Sequence, residues 1–262
     1  MWPACSVRIR LIMSDTVLKA IGIVKRFGGL VAVDGVDFDL NKSEIHAVIG
    51  PNGAGKSTFL ATLAGDLAPT KGQVFVGGRD VTNLTVRSRV RLGVGRTYQH
   101  SAVVSGFTAL DMARIAAIQR SVSLASLLMP LSYNVLSTTN ARATLKRVGL
   151  ADRETVTTDS LIHGEKRRLE IAAVLALKPS ILLLDEPLAG LGLDESRAVV
   201  DLVSDLKGNC SIVLIEHDID VVFAIADRIT VLDNGRVIAT GLPKDVRDDP
   251  AVQQAYLGFG ED

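Results

Sequence analysis

Residues 50–58 read Gly-Pro-Asn-Gly-Ala-Gly-Lys-Ser-Thr, and they follow the apolar run Ile45–Ile49 and open a helical pattern over Lys56–Ala64. A glycine-rich loop between a buried strand and a helix, closed by Lys-Ser, is built to cradle phosphates. The glycines let the chain curl so that backbone N–H groups point at phosphate oxygens, and the helix N-terminus adds partial positive charge. Lys56 then reaches the β and γ phosphates, and Ser57 offers its hydroxyl to Mg²⁺. Gly50, Pro51, Asn52, Gly53, Ala54, Gly55, Lys56, Ser57 and Thr58 are all expected at the nucleotide. A dinucleotide-binding loop would instead space its glycines G-x-G-x-x-G and has no use for the Lys56-Ser57 pair.

The rest of the chain fits the fold this loop requires. Apolar runs at Ile45–Ile49, 181–184, 212–215 and 229–232 are short and unbroken, as in strands buried on both faces. They alternate with helical patterns at Lys56–Ala64, 165–177 and 195–206, which predicts an α/β P-loop core with a mostly parallel sheet. Segments 16–24, 31–40 and 73–76 alternate like antiparallel strands, with Gly28-Gly29 and Gly77-Gly78 at turns, so an N-terminal antiparallel β-layer is expected. Between about 100 and 160 the strand signals stop and 109–120 and 141–148 carry helical spacing. The expected organisation is an N-terminal extension over 1–15 and one phosphate-loop domain over 16–260, with a helical subdomain inserted at about 100–160.

Asp185 and Glu186 follow the buried run 181–184, at the strand end where ligands of parallel sheets gather. Phosphoryl transfer to water needs a held Mg²⁺ and a group that orients or deprotonates the water, and adjacent carboxylates divide those tasks: Asp185 for the metal, Glu186 as base. An isolated Asp-Glu pair would ordinarily be solvated charge, so its weight comes from the phosphate loop. His217 follows the run 212–215 and reaches the same sheet edge, where a neutral imidazole can bond the γ phosphate or the water. Gln99, after the short run 93–97, is the remaining candidate for Mg²⁺ or water.

Lysine plus arginine equals aspartate plus glutamate, 29 each, so no global positive field recruits nucleic acid. Cys5 and Cys210 match no metal spacing. Arg10 interrupts the apolar residues 9–13, so no signal peptide is expected, and Met13 is an alternative start to Met1. The uncharged stretch 121–141 contains Pro130, Asn134 and Asn140 and is read as subdomain core rather than a membrane span.

Taken in order, these residues resemble the ABC-transporter ATPase family from about Val17 to Gly258. Phe27 looks like the aromatic residue that stacks on adenine, and Arg96-Thr97-Tyr98-Gln99 like the Q-loop. Leu161-Ile162-His163-Gly164-Glu165 looks like the signature sequence, and Ala189-Gly190-Leu191-Gly192 like the D-loop. The finer resemblance is to ATPases of branched-chain amino-acid importers, urea and amide importers included, through residues 25–33, 96–99, 164–172 and 249–258. It implies ATP and Mg²⁺ as cofactors, and phosphate contact by Ile162, His163, Gly164 and Glu165 with the nucleotide of a second ATPase subunit. It also implies transmembrane permease subunits, an indirect extracellular or periplasmic solute-binding protein, and residence at the cytoplasmic face of the membrane. Ile162 departs from the family's serine and has no hydroxyl to give. Gly192 stands near a position where many members carry aspartate. A homodimer and a heterodimer with one weak site both remain open at this point. A lipid or export ATPase shares the catalytic motifs, and a soluble family member acting on nucleic acid or ribosomes is the different-class alternative.

Overall fold

The computed structural model describes residues 15–98, 103–119 and 135–257. In chain order the elements are β1 (Thr16–Phe27), β2 (Leu30–Asn41), β3 (Ile45–Ile49), α1 (Lys56–Ala64), β4 (Lys71–Val76), β5 (Arg79–Asp80), α2 (Val86–Arg91) and β6 (Val94–Arg96). Next come α3 (Ala109–Gln119), α4 (Val135–Arg147), α5 (His163–Ala176), β7 (Ile181–Asp185), α6 (Leu193–Leu206), β8 (Ser211–Ile215) and α7 (Ile219–Ile225). The chain closes with β9 (Arg228–Asp233), β10 (Arg236–Gly241), α8 (Pro243–Arg247) and α9 (Pro250–Leu257).

Two sheets form. One is antiparallel, ordered β2-β1-β4-β5; the other is ordered β10-β9-β3-β8-β7-β6, with parallel pairing throughout except for the β9–β10 hairpin. The apolar runs explain the second sheet, because its central strands bury both faces and alternate between two cores. Ile45, Ala47, Ile49, Leu182, Leu184, Ile212 and Leu214 face the core that also holds Leu169, Val199 and Val203 of α5 and α6. Val48, Ile181, Leu183, Val213 and Ile215 face the other, shared with Phe59, Leu60 and Leu63 of α1 and with Leu18, Ile23 and Phe38 of the antiparallel layer. The phosphate-loop helix is thus clamped between the two sheets.

The described part of the interval 100–160 carries α3, α4 and two short 3-10 turns, with Ala109, Ala113, Ala141 and Leu145 buried against Leu169 of α5. Helix α4 begins at Val135, ahead of the helical spacing that starts at 141. Most of the uncharged stretch 121–141 lies outside the described residues.

His46, on the strand that leads into the phosphate loop, joins the two sheets. Its ring stacks on Phe38 at 4.2 Å, Nδ1 lies 2.8 Å from Asp39 O, and Nε2 lies 2.8 Å from Thr230 Oγ1. A carbonyl can only accept, so Nδ1 carries the proton and Nε2 accepts from the threonine. Burial, followed by the charge of Arg228, lowers the pKa from 6.5 to about 3. The unfolded chain therefore binds a proton below pH 6.5 that the folded chain refuses until about pH 3. The stability supplied by neutral His46 is complete above pH 6.5 and is lost as pH falls towards 3. Between those limits, urea unfolding should show wild-type stability falling by about 1.4 kcal/mol per pH unit more steeply than that of His46→Gln. Parallel pH profiles for the two proteins would remove His46 as the cause.

Candidate nucleotide site

The phosphate loop leaves β3 through Gly50 and enters α1 through Gly55. At Gly50 a Cβ would stand 2.0 Å from Leu232 O, and at Gly55, with φ +96°, it would stand 2.2 Å from Ala32 O. No side chain fits either place, so the loop backbone rests directly on β9 and β2. Gly235 N–H donates to Ala54 O (3.1 Å) and Asp34 N–H to Gly235 O (2.8 Å), which ties the same three segments together. The first backbone bond of α1 runs from Phe59 N–H to Gly55 O, 2.8 Å, so the preceding N–H groups lie ahead of the helical ladder and point out of its end.

Lys56 is buried, and its ammonium donates to Gly50 O (2.7 Å) and Pro51 O (3.0 Å), holding the loop's curl. Burial lowers its pKa, opposed by the nearby charges of Glu186 and Asp185. Ser57 Oγ donates to Asp185 Oδ1 over 3.3 Å. Glu186 lies just past the end of β7 with φ +48°, a left-handed geometry unusual for a side chain of its size. Its N–H donates to Ile215 O at 2.9 Å, and His217 Nε2 stands 2.5 Å from its Oε1. A carboxylate accepts, so Nε2 is the protonated ring nitrogen. Lys56, Ser57 and Glu186 line one cleft of about 560 Å³ with Phe27, Leu30, the loop residues Asn52 to Thr58, and Asn234. Phe27 is 47% exposed at its rim. A larger concavity, about 980 Å³, lies on the outer face of the antiparallel sheet beside Lys19, Asp39 and Phe75 and holds none of these groups.

The oxygen pair Ser57 Oγ and Asp185 Oδ1 suits a hard cation that takes most of its ligands from phosphate and water. Among the described residues no cluster of three or more His, Cys, Asp or Glu could hold a metal ion. Gln99 lies outside the described residues. Ile162, His163, Gly164 and Glu165 do not line the cleft. They form the N-terminus of α5, with Ile162 60% exposed. Glu165 Oε2 accepts from Ile162 N–H (3.1 Å) and His163 Nε2 lies 3.3 Å from Ala189 O.

Four charged residues to which the sequence reading gave no role hold these loops, although Arg96 and Arg167 fall within the motif segments 96–99 and 164–172. Arg167 donates to Asp185 O (2.7 Å), Pro187 O (3.2 Å), Tyr98 O (2.8 Å) and Glu170 Oε2 (2.8 Å). Glu216 accepts from Leu188 N–H (2.7 Å) and His217 N–H (3.0 Å), and burial raises its pKa. Glu195 accepts from Gly164 N–H (3.1 Å) and Gly192 N–H (3.2 Å). Arg96 pairs with both Asp185 and Asp66. Glu216 adjoins His217, and Arg96 and Arg167 stand in motif segments, but the sequence does not show what the four side chains face. The other pairings arise from chain segments far apart.

A family model described as ABC transporter matches residues 33–189, and one described as branched-chain amino acid ATP-binding cassette transporter matches residues 236–258. The chain is 38% identical over 253 residues to the high-affinity branched-chain amino acid transport ATP-binding protein LivG of Salmonella typhimurium, covering 94% of this chain and 99% of the relative. LivG of Escherichia coli is 37% identical and BraF of Pseudomonas aeruginosa 35% identical over the same shares. Among solved structures, a nucleotide-free ATP-binding cassette from an ABC transporter superposes with TM-score 0.83 at 30% identity, over 92% of this chain and 98% of that one. An ADP-bound cassette of an ABC transporter gives the same score and identity over 93% and 99%.

The four bonds of Arg167 make it the pin that fixes β7, the turn after it and Tyr98. Arg167→Met removes the ion pair with Glu170 and strands three carbonyl oxygens, and it should destabilise the protein by about 3–5 kcal/mol in urea unfolding, against a smaller loss for Arg167→Lys. Equal stability of Arg167→Met and wild type would refute that role.

Proposed function

The chain belongs to the ABC-transporter family as an ATP-binding, ATP-hydrolysing subunit, and from this premise we propose that it energises import of branched-chain amino acids through permease subunits at the cytoplasmic face of the membrane. The observation that carries the solute assignment is end-to-end similarity to LivG and BraF, 35–38% identity across 94% of the chain, together with the branched-chain family match over residues 236–258. No described helix is long and apolar enough to cross a membrane, so the permease and the solute-binding protein supply the path and the selectivity.

In this reading the triphosphate lies on residues 50–58, with the adenine against Phe27. Lys56 turns its ammonium from Gly50 O and Pro51 O to the β and γ phosphates. Ser57 and Asp185, with Gln99, would hold Mg²⁺, which when bound neutralises charge on the transferring phosphate. Glu186 takes the proton of the attacking water, and His217 Nε2–H keeps its carboxylate turned to that task. Glu186→Gln should lower ATP turnover about 10²- to 10⁴-fold while nucleotide binding survives, and in membrane vesicles holding the permease and binding protein it should abolish leucine uptake. Undiminished turnover would sink the role of Glu186. Uptake of urea but not leucine by the wild-type complex would overturn the solute.

The partner subunit in this reading is a second, different ATPase. Two features support it: Ile162 offers no hydroxyl, and Gly164 N–H already bonds Glu195. The signature this chain lends is weak while its own nucleotide side carries every catalytic group. The purified chain alone should bind ATP and turn it over slowly at all protein concentrations. Ile162→Ser should raise that rate about tenfold, the worth of one charge-assisted hydrogen bond. Brisk wild-type turnover rising with concentration would favour a homodimer instead.

A further inference from the structure

Asp185 is 2% exposed and carries two unlike partners, one on each oxygen. Oδ1 accepts from Ser57 Oγ at 3.3 Å, and Oδ2 accepts from Arg96 Nη2 at 2.9 Å. The other end of the guanidinium, Nη1, pairs with Asp66 Oδ2 at 2.5 Å. Asp66 Oδ1 in turn accepts from Tyr98 OH at 3.1 Å, and the Arg96 guanidinium carbon stands 5.0 Å from the centre of the Tyr98 ring. Arg96 is itself 11% exposed. The arrangement is a row of alternating charge that runs inward from the partly exposed Asp66 through Arg96 to the buried Asp185, and it ends at the oxygen facing Ser57. Phosphate binding uses Lys56 and the loop N–H groups, and hydrolysis uses Glu186, so Arg96 has no part in the chemistry described so far.

We propose that Arg96 is a positioning residue for the cation ligand: it fixes Asp185 by Oδ2, presents Oδ1 to Ser57, and by its charge sets how tightly the site takes up a divalent cation. The inference rests on the reading of Ser57 and Asp185 as cation ligands. A guanidinium on the ligand carboxylate opposes an arriving dication, and Asp66 moderates that opposition by sharing the guanidinium. The two residues therefore act with opposite sign. Removing the positive charge tightens cation binding; removing the charge of Asp66 loosens it, because Arg96 is then left to Asp185 alone. The link to Tyr98 carries the same network to the residue before Gln99.

The test is the Mn²⁺ affinity of the full-length protein in slight excess over a non-hydrolysable ATP analogue, read from the electron paramagnetic resonance signal of free Mn²⁺. Arg96→Gln keeps a donor to Asp185 and loses the charge. It should tighten Mn²⁺ at least about tenfold, since even at the dielectric constant of bulk water a unit charge roughly 6 Å from a dication is worth about that factor. Asp66→Asn should weaken Mn²⁺ binding, and Arg96→Lys should stay close to wild type. Both Arg96→Gln and Asp66→Asn weakening the site, or neither moving it, would reduce Arg96 to a structural brace and overturn the inference while leaving the cation ligands standing. Wild-type protein that adds nothing to the Mn²⁺ affinity of the nucleotide alone would overturn the ligand reading, and this inference with it.

Discussion

Everything in the site depends on a backbone contact that admits no side chain. Gly50 lies against Leu232 O on β9 and Gly55 against Ala32 O on β2, at 2.0 and 2.2 Å from where their Cβ atoms would be. These contacts press the phosphate loop between the parallel sheet and the antiparallel layer. They set the direction of α1, and with it the N–H groups and Lys56 at its start. The loop is therefore rigid because two layers hold it. His46 reinforces the same junction from within β3, bonding Asp39 of β2 and Thr230 of β9.

Charge is the second constraint. Lys56, Asp185, Glu186 and Arg167 are all less than a tenth exposed, and unpaired buried charges are costly. The structure answers with partners at each: carbonyls for Lys56, Arg96 and Ser57 for Asp185, His217 for Glu186, carbonyls and Glu170 for Arg167. Several of these partners are groups that nucleotide would take over. In the proposed function phosphate would take the place of the Gly50 and Pro51 carbonyls at Lys56, exchanging one anchored set of acceptors for a charged one.

Much of this was legible in the sequence, and the exceptions have physical causes. Ile45–Ile49 and Lys56–Ala64 stand where the sequence places them, because a strand buried on both faces leaves an unbroken apolar run and a glycine-lysine loop dictates the helix after it. Helix α4 was hidden at its start: Val135 to Asn140 are mostly β-branched or small polar residues of weak helix propensity, carried by packing further along the helix. The β9–β10 hairpin was missed although Asn234-Gly235, with φ +47° and +77°, is a strong turn signal. The partners of Arg96, Arg167 and Glu195 were missed for a different reason. A charged residue reads as surface until the topology shows what it faces, and Arg167 meets Tyr98 across 69 positions of chain.

Glu195 bears on how the two edges of the molecule communicate. Its carboxylate joins Gly164 N–H, at the start of α5, to Gly192 N–H, at the end of the loop that begins with Glu186. That loop is also held at Leu188 by Glu216, whose other oxygen accepts from His217 N–H. Glu186 and Ile162 are thus connected through two carboxylates and one short loop. Such a connection has a direct electrostatic consequence. The N–H end of α5 that would face a partner's nucleotide is occupied by an anion of this chain, and an incoming phosphate must compete with it. Glu195 therefore holds the start of α5 and the end of the loop behind Glu186 with one carboxylate, an oxygen to each.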